Sequence, residues 1–456
     1  MNEYDVCVIG AGSAGLVAAT KANRLGAKTI LIEKNKIGGE CLHSSCIPSK
    51  TFLHSSKVYY NSINSEEIGL PKINSKKPNL ERIMNHVQAV INGIYKNENK
   101  DIFQKMGIDV YLGDGSFISQ NEFSAGKDII NSKFFIICSG SSPSVPPVDG
   151  LRDIKYLTNN NFWDLKSLPS KIFIMGAGPI GLELGQALSR LGSKVFIALR
   201  SEQILKKEDP EISAEMEKIL ASENIIFLKN TRLNKFSQQA DKITIEYSQD
   251  GQGKELVVDE VLVSTGRKPN IEGLNLEKAG VEYTKKGISV NDELQTSSEN
   301  IFACGDVIGK YQFTHAASYY AEIAVNNILS DKKMNINDRI MPWVTFTDPE
   351  VAHVGLTEEE ARKKFQDIQV LKVDAALDRF LTENKSKGFI KIILDEKDNI
   401  IGAHAIGAHA GEYIQNLTLA IQNNISIKQF SETISPYPTF SEIVKKAFTR
   451  YLRTKT

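Results

Sequence analysis

The sequence predicts an α/β chain with two dinucleotide-binding βαβ units and a mixed antiparallel α+β domain at the C-terminal end. Three observations predict it. Gly10-Ala11-Gly12-Ser13-Ala14-Gly15 stands between a short apolar strand and a helical pattern. A second turn of this kind, Gly176-Ala177-Gly178-Pro179-Ile180-Gly181, has the same surroundings. From Met341 onward, strand-like runs are separated by turn chemistry and helical runs.

A length of 456 residues gives room for about three domains. Hydrophobic content of 41% and charged content of 24% are those of a globular protein. Fifty-five basic residues balance 55 acidic ones, so no global field argues for a nucleic-acid or anionic-membrane partner. No apolar run approaches the roughly 18 residues of a spanning helix. A strand begins almost at once, so no signal peptide is expected and cytoplasm is the expected location. Five cysteines are too few for a secreted disulfide framework. Cys7, Cys138 and Cys304 sit in apolar strand-like runs and read as buried core.

Tyr4 to Ile9 is the first strand, Gly10 to Gly15 its turn, and a helix runs on to Leu25. Gly26 closes that helix, and Lys28 to Glu33 is the next strand. Such glycines let the backbone approach a pyrophosphate at the helix N-terminus, and Glu33 can accept from ribose hydroxyls. Next comes Gly38-Gly39-Glu40-Cys41-Leu42-His43-Ser44-Ser45-Cys46-Ile47-Pro48-Ser49-Lys50. In a straight helix, positions five apart are about 7.5 Å apart along the axis, whereas a disulfide needs Cβ atoms within about 4.5 Å. Spacing alone leaves two readings: a labile, exchangeable disulfide across a distorted turn, or two unrelated buried thiols. A helix is expected over 51–60, a loop over 61–79, and one long helix from Leu80 to Lys105. Short strands follow at 110–112 and 134–138. Pro143, Pro146, Pro147 and Gly150 mark a linker.

The second unit has strands at 171–175 and 194–199 flanking a helix over 182–191. Its second strand ends at Arg200 rather than an acid, with Lys206 six residues on. Cations there suit a 2′-phosphate and so NADPH over NADH; a solvated surface charge is the other reading of Arg200. Val261 to Asn270 closes this unit, and Asn300 to Asp306 returns to the first. The expected boundaries are 1–148 with 268–338, 149–267, and 340–456. In the last, strands are expected at 369–373, 389–394 and 400–406, and helices at 357–365, 411–422 and 441–452. His315, His404 and His409 show no ligand-type spacing, and no metal site is expected.

These motifs together resemble the class I pyridine nucleotide-disulfide oxidoreductases: dihydrolipoamide dehydrogenase, glutathione reductase and mercuric reductase. The resemblance rests on the first Gly-rich turn, the C-x-x-x-x-C-x-P-S-K run and the second turn with Glu183 behind it. Ser264-Thr265-Gly266-Arg267, Ala303-Cys304-Gly305-Asp306 and Tyr437-Pro438-Thr439-Phe440-Ser441-Glu442 complete it. It implies two Rossmann-like FAD/NAD(P)-binding domains plus a C-terminal α+β dimerisation domain, hence a homodimer. It implies a relay from NAD(P)H through FAD to a redox-active Cys41–Cys46 disulfide, and on to a small-molecule electron acceptor: a disulfide, a metal ion or a quinone. Cys46 is then the sulfur facing flavin and Cys41 the interchange thiol, with Lys50, Glu183, Tyr437 and Glu442 completing the catalytic set.

The resemblance also implies that FAD lies against Gly10, Gly12, Ser13, Ala14, Gly15, Glu33, Lys34, Gly39, Lys50, Gly115, Ser139, Gly140, Gly305, Asp306 and Thr314. NAD(P)H lies against Gly176, Gly178, Ile180, Gly181, Glu183, Arg200, Lys206 and Gly266. Tyr437 departs from the histidine that dihydrolipoamide dehydrogenases and glutathione reductases carry here, and a tyrosine with pKa near 10 is a poor base. Mercuric reductases share a tyrosine near this place, but also carry a C-terminal cysteine pair that this chain's last residues lack. The expectation is therefore a mercuric reductase-like enzyme without that pair, with His43 an alternative base. Two other readings stand beside it: an NAD-dependent dihydrolipoamide dehydrogenase and a non-catalytic flavin redox sensor.

Overall fold

The structure is a computed structural model, and it describes residues 2–71 and 77–455. The first unit is built from β1 (Asn2–Ile9), α1 (Ser13–Arg24), β2 (Thr29–Glu33), α2 (Gly39–His43), α3 (Cys46–Ile63), α4 (Leu80–Tyr95) and α5 (Lys100–Lys105). It continues through β3 (Asp109–Leu112), the hairpin β4 (Gly115–Ser119) and β5 (Glu122–Ala125), and β6 (Asp128–Ile137). β1 pairs in parallel with β2 and β6, and β2 with β3. Val6, Cys7 and Val8 are buried on both faces of the sheet, which is why this strand reads as an unbroken apolar run.

After β7 (Ser141–Pro143) the second unit begins: β8 (Lys171–Met175), α6 (Pro179–Leu191), β9 (Lys194–Ala198), α7 (Pro210–Ser222) and β10 (Ile225–Leu228). An antiparallel sheet follows, of β11 (Thr231–Gln239), β12 (Lys242–Gln249) and β13 (Gln252–Val258), before β14 (Glu260–Val263) closes the parallel order β10-β9-β8-β14. β15 (Arg267–Pro269) pairs back to β7, and β16 (Tyr283–Thr284) with β17 (Gly287–Ile288) forms a small hairpin. β18 (Ile301–Ala303) then joins β6, parallel to Phe135–Ile137. The second unit is thus inserted into the chain of the first sheet. α8 (Thr314–Leu329) follows. A Cβ on Gly305 would stand 3.2 Å from that of Ala14 and 3.5 Å from that of Ala317, so α1, α8 and the end of β18 meet on small residues.

The C-terminal unit is the antiparallel sheet β19-β20-β23-β22-β21. Its strands are β19 (Trp343–Thr345), β20 (Glu350–Gly355), β21 (Ile368–Asp374), β22 (Phe389–Asp395) and β23 (Ile400–Gly407). The helices are α9 (Glu358–Lys364), α10 (Asp378–Thr382), α11 (Ala410–Gln422), α12 (Ile427–Glu432) and α13 (Glu442–Lys455). Ile443, Val444, Ala447 and Phe448 of α13 are buried together with β-strand residues such as Leu371 and Ile392.

Two expectations are corrected. The helix expected over 80–105 is two helices: the Asn99 side chain accepts from the N–H groups of Asp101 and Ile102 and caps α5, ending the continuous pattern. The loop expected from residue 61 begins later, because α3 runs to Ile63 and a 3-10 turn covers Ser65–Ile68; residues 72–76 of that stretch lie outside the described residues. No helix among the described residues is long and apolar enough to cross a membrane.

Candidate active site

The stretch between the cysteines is two helices. Ser44 (φ −145°, ψ 3°) and Ser45 (φ −133°, ψ −93°) leave helical geometry, so α2 stops and α3 restarts at Cys46. The turn needed to bring the sulfurs together is therefore a break in the helix. Pro48 sits in the first turn of α3, where a missing N–H costs nothing. Cys41 and Cys46 are not bonded to each other in this structure. Thr314, the first residue of α8, connects them: its hydroxyl donates to Cys41 Sγ at 3.1 Å and lies 3.3 Å from Cys46 Sγ. Hydrogen bonding from Cys41 lowers the Cys46 pKa; burial opposes this, and Thr314, Ser45 and the Lys50 charge reinforce it. Cys41 shifts upward, because it keeps the shared proton beside Cys46 and is itself largely buried. Cys46 also opens an 18-residue helix, whose N-terminal dipole favours a thiolate.

Lys50, one turn along α3, donates to Glu183 Oε2 at 2.9 Å and its ammonium lies 4.4 Å from the centre of the Phe346 ring. Glu183 is buried on α6, and its other oxygen accepts from Phe346 N–H at 2.8 Å. One carboxylate thus ties α3, α6 and the segment after β19 together.

These groups border a cavity of about 1890 Å³ that runs between the two Gly-rich turns. Pockets for a single small ligand are typically about 300–1,000 Å³, so there is room for more than one nucleotide. The expected cofactor residues line it, except Gly15 and Gly181. Those two lie beneath the turns: a Cβ on Gly15 would stand 1.7 Å from Gly10 O, and one on Gly181 2.2 Å from Gly176 O. A Cβ on Gly12 would come no nearer than 4.0 Å to Gly39 Cα, and one on Gly178 would meet nothing within 4 Å. Both would project into open space at a helix N-terminus, which is the cradle that a pyrophosphate fills. The residues therefore fit a dinucleotide at each turn.

Glu33 takes the N–H of Ala11 and of Asn35, each at 2.7 Å, and so fixes the first turn to the end of β2. Asp306 accepts from Ser141 Oγ at 2.5 Å and lies 3.5 Å from Arg267 Nε. Arg267 also donates to Ser141 Oγ at 2.7 Å and forms an ion pair with Glu40. This chain from Glu40 through Arg267 to Asp306 joins the segment before Cys41 to the end of β18. Sequence reasoning quoted Arg267 only as part of a motif, and no local pattern pairs it with Glu40. At the other end, Arg200, Lys206 and Lys207 are exposed and line the cavity, and none has a carboxylate within ion-pairing distance among the described residues.

Tyr437 and Glu442 do not line the cavity of this chain. Tyr437 is 70% exposed and donates to Asp378 Oδ2 at 2.7 Å, which pushes its pKa up. Glu442 accepts from Thr439 N–H at 3.2 Å. His43 lines the cavity with Nε2 held 2.8 Å from Ile37 O and its ring against Tyr95. His315 Nε2 lies 2.7 Å from Pro342 O, and the His409 ring packs on Phe440.

Comparison with known proteins gives the same picture over nearly the whole chain. A mercuric reductase of Staphylococcus aureus is 36% identical over 450 residues, covering 98% of this chain and 82% of that protein. A dihydrolipoyl dehydrogenase of Bacillus subtilis (strain 168) is 35% identical, covering 98% and 97%. The solved structure of the HOCl-induced flavoprotein disulfide reductase RclA from Escherichia coli superposes with a TM-score of 0.88 at 26% identity, covering 98% of this chain and 99% of that one. The family model described as pyridine nucleotide-disulphide oxidoreductase matches residues 4–321, and that of its dimerisation domain matches 341–448. The chain belongs to the pyridine nucleotide-disulphide oxidoreductase family, whose members use FAD and NAD(P)H.

Proposed function

We propose that this flavin-dependent oxidoreductase takes electrons from NADPH and delivers them through Cys41 and Cys46 to a small acceptor, with a metal ion favoured over a disulfide or a quinone. The observation that carries the reading is the Cys41–Thr314–Cys46 contact at the cavity between the two Gly-rich turns. FAD, when bound, supplies hydride acceptance from the nicotinamide and return of the electron pair to sulfur.

The chain's residues do the rest. Two electrons and two protons convert the disulfide to two thiols. Cys41 retains its proton, whereas the lowered pKa of Cys46 releases one and leaves a thiolate. Lys50, held by Glu183, keeps a positive charge beside that thiolate. Gly10, Gly12, Ser13, Ala14, Glu33 and Asp306 serve the FAD side, and Gly176, Gly178 and Ile180 the NADPH side. Arg200 and Lys206 supply cations for a 2′-phosphate, and that neither pairs with an acid among the described residues supports this. The domain limits expected from the sequence belong to the same reading, as does a cytoplasmic homodimer in which Tyr437 and Glu442 serve the partner's cavity.

Two names support a metal-ion acceptor: the relative called mercuric reductase, and the Cu(II) complex of RclA, whose TM-score is 0.87. The dihydrolipoyl dehydrogenase relative supports a second reading with NAD, against which stands Tyr437 in place of a base. The test is steady-state turnover with Hg(II), Cu(II), lipoamide, glutathione disulfide and a quinone, with NADPH and NADH in parallel. Cys41→Ser and Cys46→Ser should each abolish turnover of the preferred acceptor. Undiminished turnover in both variants overturns the relay, and lipoamide with NADH as the fastest pair replaces this reading with the second.

A further inference from the structure

Three buried side chains converge where the inserted unit meets the C-terminal sheet. Glu208 lies between β9 and α7, while His353 and His404 face each other in register across β20 and β23. They are 5%, 1% and 0% exposed. Each imidazole spends Nε2 on a backbone carbonyl: His353 on Gly355 O at 2.9 Å, His404 on Leu356 O at 3.0 Å. A carbonyl only accepts, so both Nε2 atoms carry a proton, and in the neutral rings both Nδ1 atoms are bare lone pairs.

Both Nδ1 atoms approach the same oxygen. Glu208 Oε2 lies 3.0 Å from His353 Nδ1 and 3.7 Å from His404 Nδ1. The other oxygen, Oε1, already accepts from Trp343 Nε1 at 2.5 Å. His404 Nδ1 has no hydrogen-bond partner. In the neutral rings three acceptor atoms thus lie together, and on its other side His404 Nε2 lies 3.7 Å from Asp209 Oδ2. Lys391, opposite His404 in the register of β22 and β23, is engaged by Asp209, Glu211 and Glu358.

We propose that Glu208 Oε2, His353 Nδ1 and His404 Nδ1 bind a divalent transition-metal ion of the Zn²⁺ class. Each of the three residues offers a ligand atom within 4.8 Å of the others; a tetrahedral shell with bonds of about 2.1 Å has edges of roughly 3.4 Å, so the 3.0 Å Glu208–His353 pair opens slightly and the 3.7 Å Glu208–His404 pair closes slightly. Nε2–H donation to a carbonyl is the outer-shell bond that orients a ligating histidine. Two imidazoles and a carboxylate select Zn²⁺, Cu²⁺, Ni²⁺ or Co²⁺ over Mg²⁺ and Ca²⁺. Glu208 and Trp343 both line the large cavity, which gives the ion an entry path, and Trp343 covers the His353 ring at 3.5 Å. The ion clamps the inserted unit to the C-terminal sheet, and the inference does not depend on which acceptor the cysteines reduce.

The test uses chelator-treated holoenzyme carrying Cys41→Ser and Cys46→Ser, so that the thiols cannot bind metal. Calorimetric titration with Zn²⁺ should show one equivalent per chain, and Co²⁺ should give the visible bands of a low-coordinate N/O site. Excess Mg²⁺ should not compete. Glu208→Gln and His404→Gln, checked for unchanged flavin content and circular dichroism, should weaken Zn²⁺ binding at least about tenfold. No uptake, or uptake of undiminished affinity in both variants, overturns the proposal. Should the variants not fold, the Co²⁺ spectrum of the parent decides: a six-coordinate aquo-like spectrum is equally fatal.

Discussion

Replacing Thr314 by valine keeps the side-chain shape and deletes the one hydroxyl that both sulfurs share. That oxygen lies 3.1 Å from Cys41 Sγ and 3.3 Å from Cys46 Sγ. A hydrogen bond to a charged acceptor contributes about 1.5–3 kcal/mol, and one proton divided between two sulfurs puts this contact at the lower end. At about 1.4 kcal/mol per pKa unit, Cys46 in Thr314→Val should ionise about one unit higher than in the parent. The sign follows from the direction of the native shift. A thiol with a lowered pKa is a thiolate above its midpoint and is protonated as pH falls through it. The variant should lose its thiolate at a higher pH than the parent. The assay is a pH titration of anaerobically NADPH-reduced holoenzyme, following the long-wavelength thiolate–flavin absorbance, with Cys46→Ser as the blank. An unchanged or lowered midpoint, with the band otherwise intact, refutes the role given to Thr314.

Glu183→Gln leaves the Lys50 ammonium without the carboxylate 2.9 Å away; stopped-flow transfer from NADPH to sulfur should slow about tenfold, or about 1.4 kcal/mol, and a rate within about twofold of the parent counts against the pairing. Arg200→Glu should raise the KM for NADPH roughly tenfold and leave that for NADH unchanged, so equal effects on the two would remove the 2′-phosphate assignment. Gly39 has φ +57°, and a Cβ there would stand 2.7 Å from Gly12 Cα. Gly39→Ala should therefore lower the flavin-to-protein absorbance ratio of the purified protein, and a parental ratio would show that the approach is dispensable. Tyr437→His should increase lipoamide reduction by about a hundredfold, the lower range for an added general acid–base; no gain would mean that residue 437 does not reach the sulfurs of the partner chain.

What the sequence disclosed was local. Gly10 to Gly15, Gly176 to Gly181 and Cys41 to Lys50 each carry their chemistry within a dozen residues, and the structure brings all three to one cavity. The strands of the parallel sheets were legible because burial on both faces leaves continuous apolar runs such as Ile172 to Met175. The β11–β13 sheet was not, because β13 is largely exposed and carries little apolar alternation. The break in α4–α5 turned on one capping asparagine inside an otherwise helical pattern. Arg267 with Glu40, Thr314 with the two sulfurs, and Glu208 with His353 and His404 join residues far apart in the chain. Periodicity says nothing about such pairs, since polar partners are chosen by the finished fold.

The insertion between β6 and β18 has a consequence for biogenesis. Phe135, Ile136 and Ile137 are fully buried only once Ile301 to Ala303 lies beside them. During translation that edge of the first sheet stays unzipped until the whole inserted unit has emerged from the ribosome. The inserted unit, whose parallel strands all fall between residues 171 and 263, can close on its own first. A nascent chain stalled short of residue 301 therefore presents a naked apolar edge, the kind of surface that holdase chaperones bind and that seeds aggregates.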